Sequence, residues 1–449
     1  MALPAKEPQR TFEGNREPGG ARPSRARRIE PKARVAPPRE VRESSIRPVP
    51  DPSPDAASQS EFLERNAVDS LPVGALADKL ERAATEGRPL RAKLGIDPTA
   101  PDIHLGHLVV LQKLREFQDA GHTVVLIIGD FTARIGDPSG QSVLRPMLEP
   151  EEIERNARTF QEQAFKVLDR NRTEVRRNSE WLDMPMADLL RLLRHVTVAR
   201  VMERDDFTQR IDQGRPISML ELLYPVTQGY DSVAVESDVE LGGTDQKFNL
   251  LLGRDVQQAY GQPPQAVLTM PILPGLDGER RMSKSLGNYV GVTDPPDEMF
   301  GKLMSLPDAA MGTYYELLLG GEPDSSVPPV QAKRALGRAI VERFWGPEAA
   351  AEAEQHFDRV HKQHLPPEDV EEHAISPDHT SDGRAHLPAV IAEAFGISRS
   401  EARRQLGQGG VRLAGEPLGA DELDVALERL DGAVLQVGRR QFRRLRRSG

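Results

Sequence analysis

Leu90-Arg91-Ala92-Lys93-Leu94-Gly95-Ile96-Asp97-Pro98-Thr99, with His104-Leu105-Gly106-His107 just beyond it, is the stretch on which the fold of this chain turns. Leu90 to Ile96 reads as a strand and Asp97-Pro98-Thr99 as a turn. A helix is expected after His104, with Leu108, Leu111, Leu114 and Phe117 on its apolar stripe and Gly121 as a C-cap. A strand that hands over to a helix N-terminus presents unpaired N–H groups and a partial positive charge, a setting that suits phosphate. A second motif, Arg281-Met282-Ser283-Lys284-Ser285, follows a strand-like run from Ala266 to Leu273 and a Gly-rich turn, Gly275-Leu276-Asp277-Gly278. Taken singly, each string has a plain alternative. The two histidines beside Asp102 also fit a polar helix start or partial metal ligands, and the second motif also fits a solvated basic turn. As an ordered pair, each after its own strand, they predict two halves of one triphosphate site, with a loop bearing Lys284 closing over phosphates held at His104 and His107.

Outward from this stretch, strands and helices alternate. Val124 to Ile128 reads as a strand, Asp130 to Gly140 as a loop, Glu151 to Leu223 as largely helical, and Asp238 to Asn249 as the entry to a helix ending near Gly261. The alternation predicts an α/β fold, a Rossmann-like open parallel sheet that takes ligands beyond the strand C-termini. Neither a Gly-x-Gly-x-x-Gly fingerprint nor a Walker P-loop occurs, so other parts must hold the nucleotide. After Val292 the pattern turns helical, over Pro296 to Met304, Ala309 to Leu319 and Val330 to His364. The expected division is a disordered basic Pro/Arg-rich extension (1–59) and a catalytic nucleotide-binding domain (60–292), with a helix expected from near Glu61 to about Glu86. A helical domain (293–365), a linker (366–386) and a small α+β RNA-binding domain (387–449) complete it.

Composition narrows the class. At 449 residues the chain has material for several domains, and with no cysteine it has neither disulfides nor thiolate zinc sites. No apolar run is long enough to span a bilayer, so no membrane partner is expected and cytoplasm is the default compartment. Charge is uneven: residues 1–50 carry 12 Lys/Arg against 6 Glu, and residues 398–449 carry 11 Arg against 7 acids. Against the chain total of −10, these ends leave −20 on residues 51–397. Contact with a polyanion is therefore expected at the terminal module, where Ser398-Arg399-Ser400-Glu401-Ala402-Arg403-Arg404 reads as a capped basic helix and Gly438 to Arg447 interleaves arginines with Phe442.

These residues together resemble the class I aminoacyl-tRNA synthetases, and within them the bacterial tyrosine enzymes. The likeness runs from about Glu61 to the C-terminus. His104-Leu105-Gly106-His107 resembles the HIGH motif, and Arg281-Met282-Ser283-Lys284-Ser285 resembles KMSKS with Arg in place of the first Lys. Tyr224-Pro225-Val226-Thr227-Gln228-Gly229-Tyr230-Asp231-Ser232 and Val239 to Gln246 resemble the tyrosine-pocket segments. The terminal module is similar to an RNA-binding domain shared with a small-subunit ribosomal protein.

The resemblance implies a tyrosine–tRNA ligase, in which ATP activates tyrosine to tyrosyl-adenylate with release of pyrophosphate before transfer to the 3′ end of tRNA(Tyr). It implies that Asp137, Tyr224 and Gln228 hold the substrate ammonium and that Asp231 reads the phenolic hydroxyl. Gln246 would meet the carboxyl side or the ribose. Thr99, His104, His107 and Lys284 would act at the phosphates, and Gly242, Gly243, Asp245 and Met282 would line the ATP site. Two positions depart from the pattern. Lys93 stands where many relatives place a hydroxyl-binding Tyr, and either pairs with Asp231 or lies outside the pocket on the strand's solvent face; Gln141 stands where a Lys is common. Mg2+ is expected to arrive with ATP on phosphate oxygens, with no protein metal ligands and no tightly bound cofactor. A homodimer and a helical domain contacting the anticodon arm are also implied. A tryptophan enzyme would keep both phosphate motifs without needing Asp231. A small-molecule nucleotidyltransferase would not need the terminal module, and a non-catalytic paralogue would be expected to lose His104, His107 or Lys284.

Overall fold

The computed structural model of the protein describes residues 55–99, 102–138, 149–361, 370–419, 421–438 and 441–447. Most of the expected disordered extension, up to residue 54, and the Gln141 position lie outside the described residues. The chain begins with α1 (Ala56–Glu64), β1 (Asp69–Leu71), α2 (Ala75–Glu86) and β2 (Arg91–Ile96). The single helix expected from near Glu61 is thus two helices separated by a short strand, and the first starts earlier because Asp55 caps it by accepting from the Ser58 N–H.

From β2 the chain enters α3 (Leu105–Asp119), β3 (Thr123–Ile128), α4 (Thr132–Ile135), α5 (Pro150–Ala164) and β4 (Thr173–Arg177). Helices α6 (Ser179–Leu182), α7 (Met186–Leu193), α8 (Val198–Val201), α9 (Asp205–Asp212) and α10 (Met219–Ala234) follow. The chain then returns to the sheet through β5 (Val239–Gly243), α11 (Lys247–Ala259) and β6 (Ala266–Met270). The strands stack in the order β1-β6-β5-β2-β3-β4, all parallel except β1, which runs antiparallel to β6. This is the expected Rossmann-like sheet. From β2 the chain winds one way to β3 and β4, then crosses to β5 and β6 on the other side, so a crevice opens beyond β2 and β5.

Burial explains the pattern of these strands. Val124 to Ile128 in β3 are buried on both faces and read as an unbroken apolar run. Edge strand β4, Thr-Glu-Val-Arg-Arg, is half-buried throughout and pairs with β3 alone, which is why its sequence reads as part of a helical stretch.

Helices α12 (Pro296–Met304), α13 (Asp308–Tyr314), α14 (Pro329–Trp345) and α15 (Pro347–His361) pack into the same apolar core as the sheet, through Phe300, Tyr314, Leu336 and Ile340. A separate core belongs to the terminal module, with strands β7 (Glu372–Ile375), β8 (Thr380–Ser381) and β9 (Arg384–His386) and helices α16 (Leu387–Phe395) and α17 (Arg399–Gly407). It is completed by β10 (Val411–Leu413), β11 (Glu416–Pro417), β12 (Asp424–Ala426), α18 (Leu427–Leu430), β13 (Val434–Val437) and β14 (Gln441–Arg447). The expected linker is therefore corrected. Its described part, from Val370 on, belongs to the module, because β7 pairs in parallel with β14 and Ile375 and Ala385 are buried in the module's core.

Candidate active site

The phosphate half is built where β2 gives way to α3. His104 is the N-cap of α3: its Nδ1 accepts from the Gly106 N–H at 3.2 Å, and His107 Nδ1 accepts from the His104 N–H at 3.3 Å. With Nδ1 accepting on both rings, the proton of each neutral imidazole must sit on Nε2, so both point a donor away from the helix. The rings lie 3.9 Å apart between centroids. Burial, the neighbouring imidazole and the Lys284 ammonium pull His104 down to about 2, and burial with Lys284 pulls His107 down to about 4. Both are uncharged at neutral pH.

The second motif is stitched to the first through the backbone. The Leu105 N–H donates to the Val290 carbonyl at 3.0 Å and the Val292 N–H to the Ile103 carbonyl at 2.9 Å. Asn288 shapes the loop: its Oδ1 accepts from the Ser283 N–H, and its Nδ2 donates to Asp277 and to the Arg281 carbonyl. A Cβ on Gly275 would fall 2.1 Å from Asn288 Nδ2, so this crossing tolerates only glycine. Met282 is buried beneath the loop and lies beside Gly106, while Lys284 Nζ reaches to 3.6 Å from Asp102 Oδ2. The two motifs thus meet, as their order predicted.

Three of the residues expected at the amino acid lie on α10. Tyr224, Gln228 and Asp231 are spaced four and three apart and share a helix face. Asp231 is 3 % exposed, and its carboxylate accepts from Trp181 Nε1 at 2.8 Å and from Asn178 Nδ2 at 3.4 Å. Burial pushes it up to about 7 against the pull of Lys93 and these donors. At the other end the Tyr224 hydroxyl donates to Asp97 Oδ2 at 2.9 Å, while Thr132 donates to Asp97 Oδ1 at 2.7 Å. Burial raises Asp97 to about 7 as well. Asn178 also donates to Thr132 Oγ1, so one polar chain, Tyr224–Asp97–Thr132–Asn178–Asp231, links Tyr224 to Asp231. Gln228 Oε1 is buried with no hydrogen-bond partner among the described residues, an acceptor awaiting a donor.

Asp137 accepts from Gln246 Nε2 at 2.8 Å, and Asn249 in turn donates to Gln246 Oε1 at 3.0 Å. Asp245 is 3.5 Å from Arg281, an ion pair that ties the turn after β5 to the first residue of the basic loop. Bare backbone at Gly243 makes room there, since a Cβ would fall 2.7 Å from Asp245 Oδ1. The Thr99 N–H donates to the Asp97 carbonyl and holds the turn out of β2.

Lys93 follows neither expected course. It is wholly buried in β2, its Nζ 2.7 Å from Glu240 Oε1 and 2.8 Å from Ser232 Oγ, so its hydrogen bonds are made with the layer behind Asp231. Four contributors escape a reading of the sequence: Asp97, Asn178, Trp181 and Glu240. Only Asp97 carried a signal, its place in the turn that follows β2.

Residues 85–362 match the family model of class I tRNA synthetases for tryptophan and tyrosine (W and Y). The tyrosine–tRNA ligase of Moorella thermoacetica is 50 % identical over 404 residues, 87 % of this chain and 96 % of that protein. The chain belongs to the tyrosine–tRNA ligases. That of Thermotoga maritima is 48 % identical over 399 residues, 86 % of this chain and 97 % of the relative. In fold, the chain resembles the Archaeoglobus fulgidus tyrosyl-tRNA synthetase crystallised with L-tyrosine, with a TM-score of 0.54 at 23 % identity over 67 % of this chain and 99 % of that one. The chain is thus an aminoacyl-tRNA synthetase of the tyrosine type.

Proposed function

We propose that this tyrosine–tRNA ligase divides its work among the residues of the crevice as follows. Asp231 accepts the phenol O–H of tyrosine. Gln228 Oε1, the Tyr224 hydroxyl oxygen and Asp137 take the ammonium, and Gln246 stands at the carboxyl or ribose side. ATP lies over Gly242, Gly243 and Asp245, with its phosphates between His104, His107 and Thr99 below and Lys284 above. Mg2+ accompanies ATP on phosphate oxygens; no group of three or more His, Asp or Glu suited to a metal occurs among the described residues.

The substrate carboxylate is already ionised, so its attack on the α-phosphorus needs no general base and no enzyme nucleophile. Rate comes from alignment and from donors that bind charge more strongly as it builds on the phosphate oxygens. Neutral imidazoles serve this well, since each presents one fixed Nε2–H and costs no charged-group desolvation. The observation that carries the reading is Asp231, a buried carboxylate held by Trp181 and Asn178 on the same helix face as the unpartnered Gln228 oxygen.

For tRNA(Tyr), exposed Arg403, Arg404, Arg412, Arg446 and Arg447 of the terminal module supply phosphate contacts to an otherwise acidic protein. The helical region, residues 293–361, would meet the anticodon arm. Association as a homodimer is supported by large apolar side chains left exposed on α7 to α10, namely Met186, Leu190, Val198, Ile211 and Met219. Cytoplasm is the compartment that fits, and no helix among the described residues is long and apolar enough to cross a membrane. The test is ATP–pyrophosphate exchange with a panel of amino acids. Tyrosine-dependent exchange is expected, and exchange driven equally by phenylalanine or tryptophan would overturn the pocket assignment.

A further inference from the structure

We propose that Asp102 is a latch for Lys284. It holds the ammonium beside the imidazole pair while the phosphate site is empty, gives it up to the triphosphate, and takes it back to help expel pyrophosphate. The inference rests on the placement of ATP phosphates between the two motifs and adds a positioning residue to it.

Asp102 is built to stay where it is. It lies two residues before the N-cap of α3, and its Oδ1 accepts from Gln163 Nε2 at 3.3 Å. The other end of that same amide accepts the Ile103 N–H at 2.5 Å, so Gln163 on α5 clamps both the carboxylate and the backbone that follows it. Oδ2 is left to face the loop.

Lys284 is held in a contrasting way. Its ammonium is largely withdrawn from water, at 21 % side-chain exposure, yet has no hydrogen-bond partner among the described residues. Asp102 Oδ2, at 3.6 Å, is beyond hydrogen-bond length but within ion-pair reach. In this state the loop backbone around it is held by the Ser283 N–H donating to Asn288 Oδ1 and by the Gly287 N–H donating to the Lys284 carbonyl at 2.9 Å. An ammonium tied by hydrogen bonds would resist transfer, and one with no anion nearby would be costly to keep out of water. A single carboxylate at this distance avoids both, and the bound state exchanges it for phosphate oxygens of greater charge.

The consequence has a definite sign. The ion pair must be given up when triphosphate or pyrophosphate binds, so removing the carboxylate should tighten both. Each partner is partly exposed, which limits the effect to roughly threefold to tenfold. Asp102→Asn should lower the dissociation constants of ATP and of pyrophosphate by that factor and slow pyrophosphate release, leaving tyrosine affinity unchanged. Asp102→Glu, which keeps the charge, should return the parent values.

Loss of a negative charge near any anion site would tighten it a little, so the deciding measurement is a double-mutant cycle. Inorganic pyrophosphate binding and single-turnover adenylate formation are compared in the parent, Asp102→Asn, Lys284→Gln and the double variant. If Asp102 acts through Lys284, the gain from Asp102→Asn disappears in the Lys284→Gln background. A gain of equal size in both backgrounds overturns the latch in favour of a general field effect, as does no gain in either while Lys284→Gln alone weakens pyrophosphate. If Lys284→Gln changes neither binding nor rate, the placement of the phosphates is what fails, and the latch falls with it. Thermal melts of the variants identify any loss of fold, and Asp102→Glu then carries the comparison.

Discussion

The Trp181 indole N–H donates to Asp231 Oδ1 at 2.8 Å, and the two residues lie fifty positions apart in the chain. The bond fixes one oxygen of the carboxylate proposed to accept a phenol O–H. Among the described residues, the other oxygen has only Asn178, at 3.4 Å. A substrate lacking the hydroxyl leaves a desolvated carboxylate under-paired, which is the physical basis for rejecting phenylalanine. Asp231→Ala is expected to erode tyrosine-over-phenylalanine preference in pyrophosphate exchange mainly by weakening tyrosine. Trp181→Phe should give a milder loss, of roughly tenfold in tyrosine affinity, as removal of one hydrogen bond to a charged group typically does. Full preference retained by Asp231→Ala would mean that another group reads the hydroxyl.

The same carboxylate makes tyrosine binding depend on pH. Burial raises Asp231 to about 7, so a good part is protonated at pH 6, and the phenol draws the ionised form. Affinity should therefore rise with pH through about 7 and level off above it, by about tenfold between pH 6 and pH 8. Asp97 is raised to about 7 as well, but it accepts from the Tyr224 hydroxyl, at the end proposed to take the ammonium. Phenylalanine, which uses that end alone, should show a shallower slope. Calorimetric titration of both ligands checks this, and equal slopes would place the titrating group away from the phenol.

The imidazoles, by contrast, should leave no mark on the pH profile. His104 and His107 are held down at about 2 and about 4, so neither gains a proton between pH 5.5 and 8. Adenylate formation at saturating tyrosine and ATP should show no imidazole inflection in that range, while His107→Ala slows it by about tenfold to a thousandfold as a lost transition-state donor does. An inflection near 6.5 that vanishes in His107→Ala would show that a charged imidazole takes part.

How far the sequence revealed all this depended on how local each feature is. The turn out of β2, the cap at His104 and the loop at Arg281 to Ser285 are contiguous strings, each with its own strand, and the structure brings them together. Tyr224, Gln228 and Asp231 were legible only through the resemblance of Tyr224 to Ser232 to the family's tyrosine-pocket segment; the structure then places them on one face of α10. Asn178 and Trp181 were not, because they follow an edge strand of polar residues that carries no alternation and reads as helix. Glu240 was hidden for the opposite reason: it is a charge inside a wholly buried strand, intelligible only once Lys93 on the neighbouring strand is seen beside it. The terminal module's first strands looked like linker because β7 is completed only by β14, at the far end of the module.

That last point fixes where the chain can be cut. Truncation at Leu387 would strip β7 of β14 and β9 of β12. Removal of residues 370–449 takes the module with its whole core, which is distinct from that of the sheet. The shortened protein should keep tyrosine activation within about twofold and lose tRNA charging by at least about tenfold at moderate salt, since the arginines proposed to neutralise phosphates go with the module. Charging at the parental rate would assign tRNA binding to the remaining body.

Lys93 and Glu240 form the last test, because their interaction is wholly inside the protein. Both are essentially unexposed, with Nζ to Oε1 at 2.7 Å in an ion pair, and Ser232 and Gln265 donate to the other carboxylate oxygen, Oε2. Removing one member leaves a buried charge without its counter-ion, so Lys93→Met should cost about 3–5 kcal/mol in urea denaturation. Removing both charges, in Lys93→Met with Glu240→Gln, should recover most of that loss, since the amide still accepts from Ser232. The two variants also differ at the substrate. Lys93 favours the ionised form of Asp231, so losing its charge should move the pH dependence of tyrosine binding to higher pH even where stability is restored. A Lys93→Met protein as stable as its parent, with an unmoved profile, would overturn both the stabilising role of the pair and its effect on Asp231.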